Sequence, residues 1–217
     1  MKRESCMLKV NCGMLEALEN EILKREEALQ AALQKLGAKN ASAWTVAGYL
    51  YIYAEFDDDN EKGLKDLMFS VEYDLLKVSS YVAKPGTMRL MYHDIGIVRE
   101  DKKKIRRRVF ATHLKPDCAE EYYARHKKLI DARGDAIKEG PESNFTIWCA
   151  KDEFIFGYCE LVKAFDHEMT EEEKASTIEW ETRQLGIMDW FTDDVDWITG
   201  EKHDKIKNLF MQKGYEA

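Results

Sequence analysis

Tyr122 and His126 lie four residues apart in the stretch EEYYARHKKL, residues 120–129. This spacing places both side chains on one face of a helix. Histidine is the side chain best able to give or take a proton near neutral pH. A neighbouring tyrosine hydroxyl can relay a hydrogen bond or orient a hydroxyl-rich ligand. The pair therefore predicts a proton-transfer site, and a solvated or core-edge histidine is the competing interpretation.

The first half of the chain contains a counterpart of this helix without the polar pair. When Trp44 is placed over Trp148, EALENEILKR (16–25) falls on the stretch above, with Leu18 at the position of Tyr122 and Ile22 at that of His126. The same superposition places Glu16 on Glu120, Lys24 on Lys128 and Asn40 on Asn144. With one residue inserted after the tryptophans, Tyr53 falls on Tyr158 and Glu55 on Glu160. We therefore predict two tandem repeats, over 1–98 and 107–217, with the site only in the second.

Each repeat shows the pattern of a ferredoxin-like βαββαβ module. Period-two alternation and aromatic, β-branched runs predict strands, and longer amphipathic stretches predict helices. The predicted elements are a strand (5–11; 108–114), a helix (14–36; 118–139), a hairpin (40–46 with 49–56; 143–149 with 153–161), a second helix (60–82; 170–191) and a last strand in TMRLMYHDIGIV and KIKNLFMQK. The basic segment REDKKKIRRR (99–108) is predicted to be a solvated linker that runs into a strand.

The predicted fold class is α+β. A four-stranded sheet with both helices on one face leaves its other face apolar, and that face must be covered. Two copies in one chain would solve this by packing sheet on sheet. We therefore expect an intrachain pseudo-dimer of the dimeric α/β-barrel type, and a monomer or weak homodimer in solution.

Composition excludes several classes of protein. The net charge of −8 argues against binding nucleic acid or an anionic membrane. The five cysteines form no C-x-x-C pair, and no zinc or EF-hand spacing occurs, so no metal site is expected. The chain begins without the apolar run of a signal peptide. Together with the unpaired cysteines, this favours the cytoplasm.

The second half resembles the L-rhamnose mutarotase family. The resemblance lies in RRVFATHLKPDCAEEYYARHKKL, NFTIWCAKDEFIFGYCEL and KIKNLFMQK, and it covers residues 107 to about 213. It implies that His126 is the proton donor, that Tyr122 contacts the sugar, and that no cofactor is needed. A family tyrosine on the strand after the first helix is replaced by Phe145, and of the family's Trp-Trp pair only Trp190 remains.

These observations lead to two hypotheses from different classes. The first is a mutarotase that interconverts the anomers of L-rhamnose or a related monosaccharide, with Phe145 and Trp190 as aromatic walls for the apolar face of the sugar. The second is a duplicated module without catalysis that binds a small ligand or a protein partner. The environment of His126 separates them, because a catalytic histidine should line an enclosed pocket with Tyr122 and a second proton-transfer group, whereas a residue pointing into open solvent favours the second hypothesis.

Overall fold

The computed structural model describes residues 1–61, 63–137, 142–162, 170–192 and 206–216, with the side chains of 190–192 outside that description. The chain divides into two compact units. Unit 1 comprises Met1–Met88 and Lys207–Glu216, and unit 2 comprises Arg89–Ile206. The repeat boundaries at 1–98 and 107–217 refer to chain order and stay a prediction. No helix within the described residues is long and apolar enough to cross a membrane.

Unit 1 contains the first predicted repeat. Its elements are β1 (Lys2–Val10), α1 (Leu15–Lys24), α2 (Glu26–Leu36), β2 (Lys39–Val46), β3 (Tyr49–Phe56), α3 (Leu64–Val78), β4 (Ser79–Ala83) and, from the end of the chain, β10 (Lys207–Met211). Within the described residues they form one five-stranded sheet in the order β10-β2-β3-β1-β4. The helix predicted over 14–36 is two helices, which meet at Arg25.

Unit 2 contains the second predicted repeat. Its elements are β5 (Arg89–Asp94), β6 (Ile105–Leu114), α4 (Ala119–Arg133), β7 (Glu142–Ala150), β8 (Phe154–Val162), α5 (Glu171–Gln184) and β9 (Met188–Thr192). The described part of this unit has a five-stranded sheet in the equivalent order, β5-β7-β8-β6-β9. A capping box of Thr170 and Glu173 begins α5. The α+β class and the tandem ferredoxin-like order of elements are therefore confirmed.

The last strand predicted for each repeat forms, but it belongs to the sheet of the other unit. TMRLMYHDIGIV contains β5, which pairs with β7 of unit 2, and KIKNLFMQK contains β10, which pairs with β2 of unit 1. The fourth strand of the module is β4 in unit 1 and β9 in unit 2. Both strands overlap the C-terminal ends of the predicted second helices. The first was missed because α3 passes directly into extended backbone at Ser79, with no glycine or proline to mark the change.

Each unit has its apolar core between helices and sheet. In unit 1, Leu18, Ile22 and Leu33 from the helices pack in one cluster with Leu8 and Leu50 from the sheet. The core cluster of unit 2 has members on all five strands of its sheet and on α4, including Met91, Phe110, Tyr122, Ile147 and Ile155. The faces predicted from helical spacing are therefore the faces that are buried.

A buried carboxylate occupies the same place in both hairpins. In unit 1, Glu55 Oε1 accepts hydrogen bonds from Asn40 Nδ2 and the Tyr53 hydroxyl, each at 2.7 Å. In unit 2, Glu160 Oε1 accepts them from Asn144 Nδ2 and the Tyr158 hydroxyl, each at 3.0 Å. All three of these residue pairs are among those matched by the repeat alignment.

Both asparagines lie at a bulge in the hairpin. Asn40 and Asn144 have positive φ values of 50° and 51°, and the strand register shifts at each of them. Asparagine tolerates this left-handed conformation better than most residues. The bulge turns the asparagine amide towards the carboxylate. The left-handed backbone and the side-chain hydrogen bond therefore stabilise the same local geometry.

The segment 99–108 runs into a strand as predicted, but it is not solvated throughout. Lys102 lies in a 3-10 turn and is only 4% exposed, and Arg107 and Arg108 in β6 are also buried. Lys102 Nζ donates to both oxygens of Glu160, at 2.9 and 2.8 Å. The charge pattern wrongly predicted that Lys102 is exposed. The local sequence does not show that the lysine has a buried partner, Glu160, far along the chain.

The Lys102→Met substitution is expected to lower the free energy of unfolding by about 3–5 kcal/mol, because it removes the lysine cation that pairs with the buried Glu160 carboxylate. Urea unfolding at pH 7 measures the change. Lys103→Met is the matched control, since Lys103 lies in the same turn and is exposed, and it should change stability by less than about 0.5 kcal/mol.

The double variant Lys102→Met/Glu160→Gln separates loss of the ion pair from loss of packing. It should recover part of the stability lost in Lys102→Met, because the buried negative charge that lost the lysine is also removed. Equal stability of the single and double variants would contradict a buried ion pair at this position.

Candidate active site

Tyr122 and His126 both point into unit 2 from α4. Their residues are 2% and 6% exposed, whereas most of this helix is polar and solvated. The helix follows a turn at Pro116 and Asp117, in which the backbone N–H of Cys118 donates to the carbonyl of Lys115. Asp117 has a φ of 61°. The turn sets the rotation of α4, so that the Tyr-His face meets the sheet.

Three aromatic rings surround His126, and we call them the aromatic cluster: Tyr92, Tyr122 and Trp180. The Tyr122 ring lies 4.2 Å from the imidazole, centroid to centroid, in a tilted arrangement. Tyr92 and Trp180 meet the imidazole edge-on, at 5.6 and 5.5 Å. His126 is therefore enclosed, and the interpretation of a solvated histidine does not fit its environment.

The hydrogen bond of His126 selects its tautomer. The Nδ1 atom lies 2.9 Å from the backbone carbonyl of Tyr122. A carbonyl only accepts, so Nδ1 carries the proton in the neutral ring and Nε2 has the lone pair. The nitrogen able to take a proton is thereby fixed by the helix itself.

Burial lowers the pKa of His126 to about 4, and the neighbouring Arg125 adds to this effect. The bond to the Tyr122 carbonyl opposes it but does not outweigh the loss of solvent. The imidazole is therefore neutral at pH 7. It can begin a reaction as a base and act as an acid only after it has taken a proton.

Tyr92 lies on the exchanged strand β5, and its hydroxyl is hydrogen-bonded to Asp94. Its ring is half-buried and packs edge-on against Phe145, at 5.4 Å. Burial and the nearby Asp94 raise the pKa of Tyr92 to about 12, so the hydroxyl keeps its proton. Asp94 pairs in turn with Arg133 at the end of α4, at 2.5 Å.

Phe145, which the sequence predicts as a pocket wall, reaches the aromatic cluster through its contact with the Tyr92 ring. It also packs edge-on against Phe110, at 6.1 Å. The Phe110 ring occupies the space beside Gly157, where an added Cβ would lie 2.0 Å from Phe110 Cε1. Gly157 is thus required by the close approach of the ring, and at the matching positions unit 1 has Ile52 and the smaller Cys6.

Trp190 and His113 are the remaining residues considered from the sequence. The backbone of Trp190 pairs with Thr112 in the sheet, but its side chain lies outside the description. His113, considered as an assistant to His126, pairs with Glu153 and packs against Phe154. Within the described residues there is no group of three metal-ligating side chains able to hold an ion.

Sequence reasoning missed Tyr92 and Trp180. Tyr92 lies in a strand assigned to the first repeat, so its approach to His126 depends on an exchange between sheets that no local pattern reveals. Trp180 lies on α5, whose face towards the core is short and largely polar. An aromatic residue on such a helix was the available signal, and it is weak because single exposed aromatic residues are common.

The structure thus places Tyr122 and His126 among aromatic rings on a ferredoxin-like module. Residues 107–211 match the family model described as L-rhamnose mutarotase, which confirms the resemblance for the second half of the chain. The match spans just under half of the chain. At a coarse level it supports an isomerase of the sugar mutarotase type, over the second repeat.

Comparison with curated proteins and with solved structures adds no information on function. No curated protein matches the chain significantly. Among solved structures, the chain is similar to a protein from Fusobacterium nucleatum subsp. nucleatum ATCC 25586 described as a "Putative monooxygenase". The identity is 11%, the TM-score is 0.44, and the alignment covers 88% of this chain and 92% of that one.

The depressed pKa of His126 predicts a pH-dependent stability. The unfolded chain takes up a proton near pH 6.5, but the folded chain does so only near pH 4. The stability from the neutral, buried ring is therefore complete above about pH 6.5 and is lost as the pH falls towards 4. Between pH 7 and 5 the loss should be about 2 kcal/mol.

Urea unfolding of the native chain and of His126→Phe at both pH values measures this loss. The variant should lose about 2 kcal/mol less between pH 7 and 5, whatever its stability at pH 7. His93→Phe is the control, because His93 is exposed on β5. The same pH slope in the native chain and in His126→Phe would contradict a buried neutral His126.

Proposed function

We propose that the second repeat interconverts the α and β anomers of L-rhamnose or a closely related monosaccharide. The observation that carries this proposal is a neutral, enclosed His126, with a fixed tautomer and an acceptor Nε2, within the region that matches the mutarotase family. His126 and Tyr122 are the residues to which the family's roles carry over by motif.

Mutarotation needs two proton transfers, one at each of the two oxygen atoms bonded to C1. The anomeric hydroxyl loses its proton, the bond between C1 and the ring oxygen breaks, and the ring oxygen gains a proton. The open-chain aldehyde then rotates about C1–C2, and the ring closes on the other face of C1 by the reverse steps. No net proton, electron or group is gained or lost.

His126 Nε2 takes the proton of the anomeric hydroxyl in this scheme. It starts as a base because burial keeps it neutral, and the imidazolium that forms returns the proton when the ring closes. The Tyr122 carbonyl stabilises the imidazolium through the Nδ1–H bond. The proton-donor role implied by the family resemblance thus becomes the second half of the cycle.

Tyr92 supplies the proton for the ring oxygen. It is the aromatic-cluster member with a half-buried ring and a hydroxyl, and its raised pKa keeps that hydroxyl protonated until the ring oxygen becomes strongly basic. Its hydroxyl replaces that of the family tyrosine, at whose position this chain has Phe145. Proton return from the re-forming ring restores Tyr92 to its starting state.

The proposed aromatic walls favour a deoxy sugar. Phe145 and Trp180 present apolar surface, as Trp190 would on the family resemblance, and the C–H face and the 6-methyl group of a 6-deoxy sugar can be buried against such surface. Tyr122 is buried and packs in a tilted arrangement against His126, and it orients the imidazole as well as the sugar.

The native chain is expected to speed anomer exchange of L-rhamnose, and His126→Gln should reduce kcat/KM at least about 100-fold, as for loss of a general base. Saturation transfer between the two anomeric protons measures the exchange rate, with the rate in buffer subtracted. His93→Gln is the control, because it removes an exposed histidine of the same unit, and it should retain native activity.

The choice of sugar is tested with L-mannose, which differs from L-rhamnose by a hydroxyl on C6. An apolar wall at C6 should lower kcat/KM for L-mannose by roughly 10- to 100-fold. If no sugar in a panel of deoxy and ordinary monosaccharides exchanges faster with the native chain than in buffer, the non-catalytic binding module becomes the better hypothesis.

Tyr92→Phe is expected to lower kcat about 10- to 100-fold with little change in KM, because the hydroxyl acts on the ring oxygen mainly in the transition state. Tyr123→Phe is the matched control, since it removes a hydroxyl from a half-buried tyrosine on α4 whose ring lies under Arg89. Equal kcat values for Tyr92→Phe and the native chain would exclude Tyr92 as the acid.

A further inference from the structure

Gln184 is a buried polar residue at the end of α5, and only one end of its amide is engaged. The residue is 1% exposed. Its Oε1 atom accepts a hydrogen bond from Arg125 Nη1 at 3.4 Å, whereas its Nε2 atom has no hydrogen-bond partner among the described residues. Such a buried nitrogen is rare in folded proteins, because its desolvation is costly. It therefore points to a partner that does not belong to the chain.

Arg125 fixes the orientation of this amide. A guanidinium only donates hydrogen bonds, so the oxygen of the amide, and not its nitrogen, lies towards Arg125. Arg125 is held in turn by the Arg183 carbonyl, which accepts from Nη1 at 2.6 Å, and by the Glu121 carboxylate. The Nε2 atom of Gln184 is therefore turned away from the guanidinium with both of its N–H donors.

Gln212 shows how a glutamine with a structural role is satisfied in the same chain. It is also buried. Its Nε2 atom donates to the Ala38 carbonyl at 2.7 Å, and its Oε1 atom accepts from the Ala41 backbone N–H at 3.0 Å. Both ends of that amide hold the backbone at the start of β2. Gln184 makes no such bond through its nitrogen, so structural support alone does not account for it.

The face of α5 that carries Gln184 also contacts His126. Trp180 lies one turn earlier on this face, since residues four apart are neighbours on a helix. Its ring packs edge-on against the imidazole, at 5.5 Å between centroids. Arg125, which holds the Gln184 oxygen, directly precedes His126 on α4. The unpartnered amide nitrogen therefore belongs to the helix surfaces that enclose the proposed site.

We propose that Gln184 Nε2 donates a hydrogen bond to a non-reacting hydroxyl of the sugar bound at His126. This inference rests on the proposed function, because its ligand is the monosaccharide of that site. In the scheme above, His126 and Tyr92 act on the anomeric hydroxyl and the ring oxygen, so the hydroxyls on C2, C3 and C4 are left for recognition. An amide suits this task, since it stays uncharged and donates in a fixed direction.

The contact defines the substrate class more closely. A buried donor that is paired only by a ligand hydroxyl discriminates against an analogue without that hydroxyl, because the donor is then left unpaired. The proposed aromatic walls favour a methyl group at C6, whereas Gln184 requires a hydroxyl on the ring. Together they select a 6-deoxy monosaccharide that keeps its ring hydroxyls.

Gln184→Met tests the contact, since it nearly conserves volume and removes both donors. The Kd of L-rhamnose, measured by isothermal titration calorimetry, should rise about 3- to 10-fold. The KM for anomer exchange should rise by the same factor with kcat close to the native value, as for a group that binds ground state and transition state alike. In urea the ligand-free variant should be at least as stable as the native chain, because a buried nitrogen without a partner is gone.

Gln212→Met is the matched control, because it makes the same replacement at a buried glutamine whose amide is paired at both ends. Its urea midpoint should fall, since the Ala38 carbonyl and the Ala41 N–H lose their partners, and its Kd for L-rhamnose should be native. Gln184→Glu is a second variant in case Gln184→Met folds poorly. It keeps an oxygen towards Arg125, replaces the donor by an acceptor, and should weaken sugar binding without loss of stability.

The 2-, 3- and 4-deoxy analogues of L-rhamnose identify the hydroxyl. One of them should bind the native chain and Gln184→Met with equal Kd, because the oxygen that the amide contacts is missing. Unchanged Kd of L-rhamnose in both Gln184 variants overturns the proposal. A fall in urea midpoint for Gln184→Met as large as that for Gln212→Met also overturns it, by showing a structural amide.

Binding and anomer exchange are measured separately, so the two proposals fail in different ways. If the native chain binds L-rhamnose through Gln184 but does not speed exchange, the contact stands and the mutarotase activity fails. If exchange is fast and KM is native in Gln184→Met, the activity stands and the contact fails. A native chain without measurable affinity for L-rhamnose or its deoxy analogues overturns the contact as well.

Discussion

A buried glutamate at a strand bulge sets the geometry of both units. Glu55 and Glu160 each fix an asparagine in the left-handed conformation, and that asparagine changes the register of its hairpin. Side chains alternate across a strand, so a shift of one residue moves every following side chain to the other face. Phe145 directly follows Asn144. The bulge therefore determines that the ring lies beside Tyr92 and near His126 rather than on the opposite face of the sheet.

The two units show how one frame supports different chemistry. In unit 2, Gly157 leaves room for the Phe110 ring, and the aromatic packing continues through Phe145 and Tyr92 to His126. Burial among these rings keeps the imidazole neutral. In unit 1 the matching side chains are aliphatic or small and pack in an apolar core. The difference arises from a few substitutions on one helix face and two strands, while the bulge and its carboxylate are the same.

Strand exchange makes each unit depend on the whole chain. Tyr92 belongs to the first repeat by sequence, yet β5 pairs with β7 of unit 2, and β10 returns from the end of the chain to unit 1. A second repeat expressed without residues 89–94 would lack both an edge strand and the Tyr92 hydroxyl. The covalent link between repeats keeps the exchanged strand at high effective concentration, which a dimer of separate chains must achieve by association.

The sequence by itself determined the α+β class, the tandem order of elements, the buried face of α4, the three polar pairs shared by the hairpins and the resemblance to the mutarotase family. These follow from periodicity and spacing, which are local, and from repetition, which is visible in one chain. The tertiary structure alone decided which sheet β5 and β10 join, the burial of Lys102 against Glu160, the approach of Tyr92 and Trp180 to His126, and the low pKa of that histidine. The physical reason is that these features depend on partners distant in sequence and on exclusion of solvent, and neither leaves a periodic signal in the residues concerned.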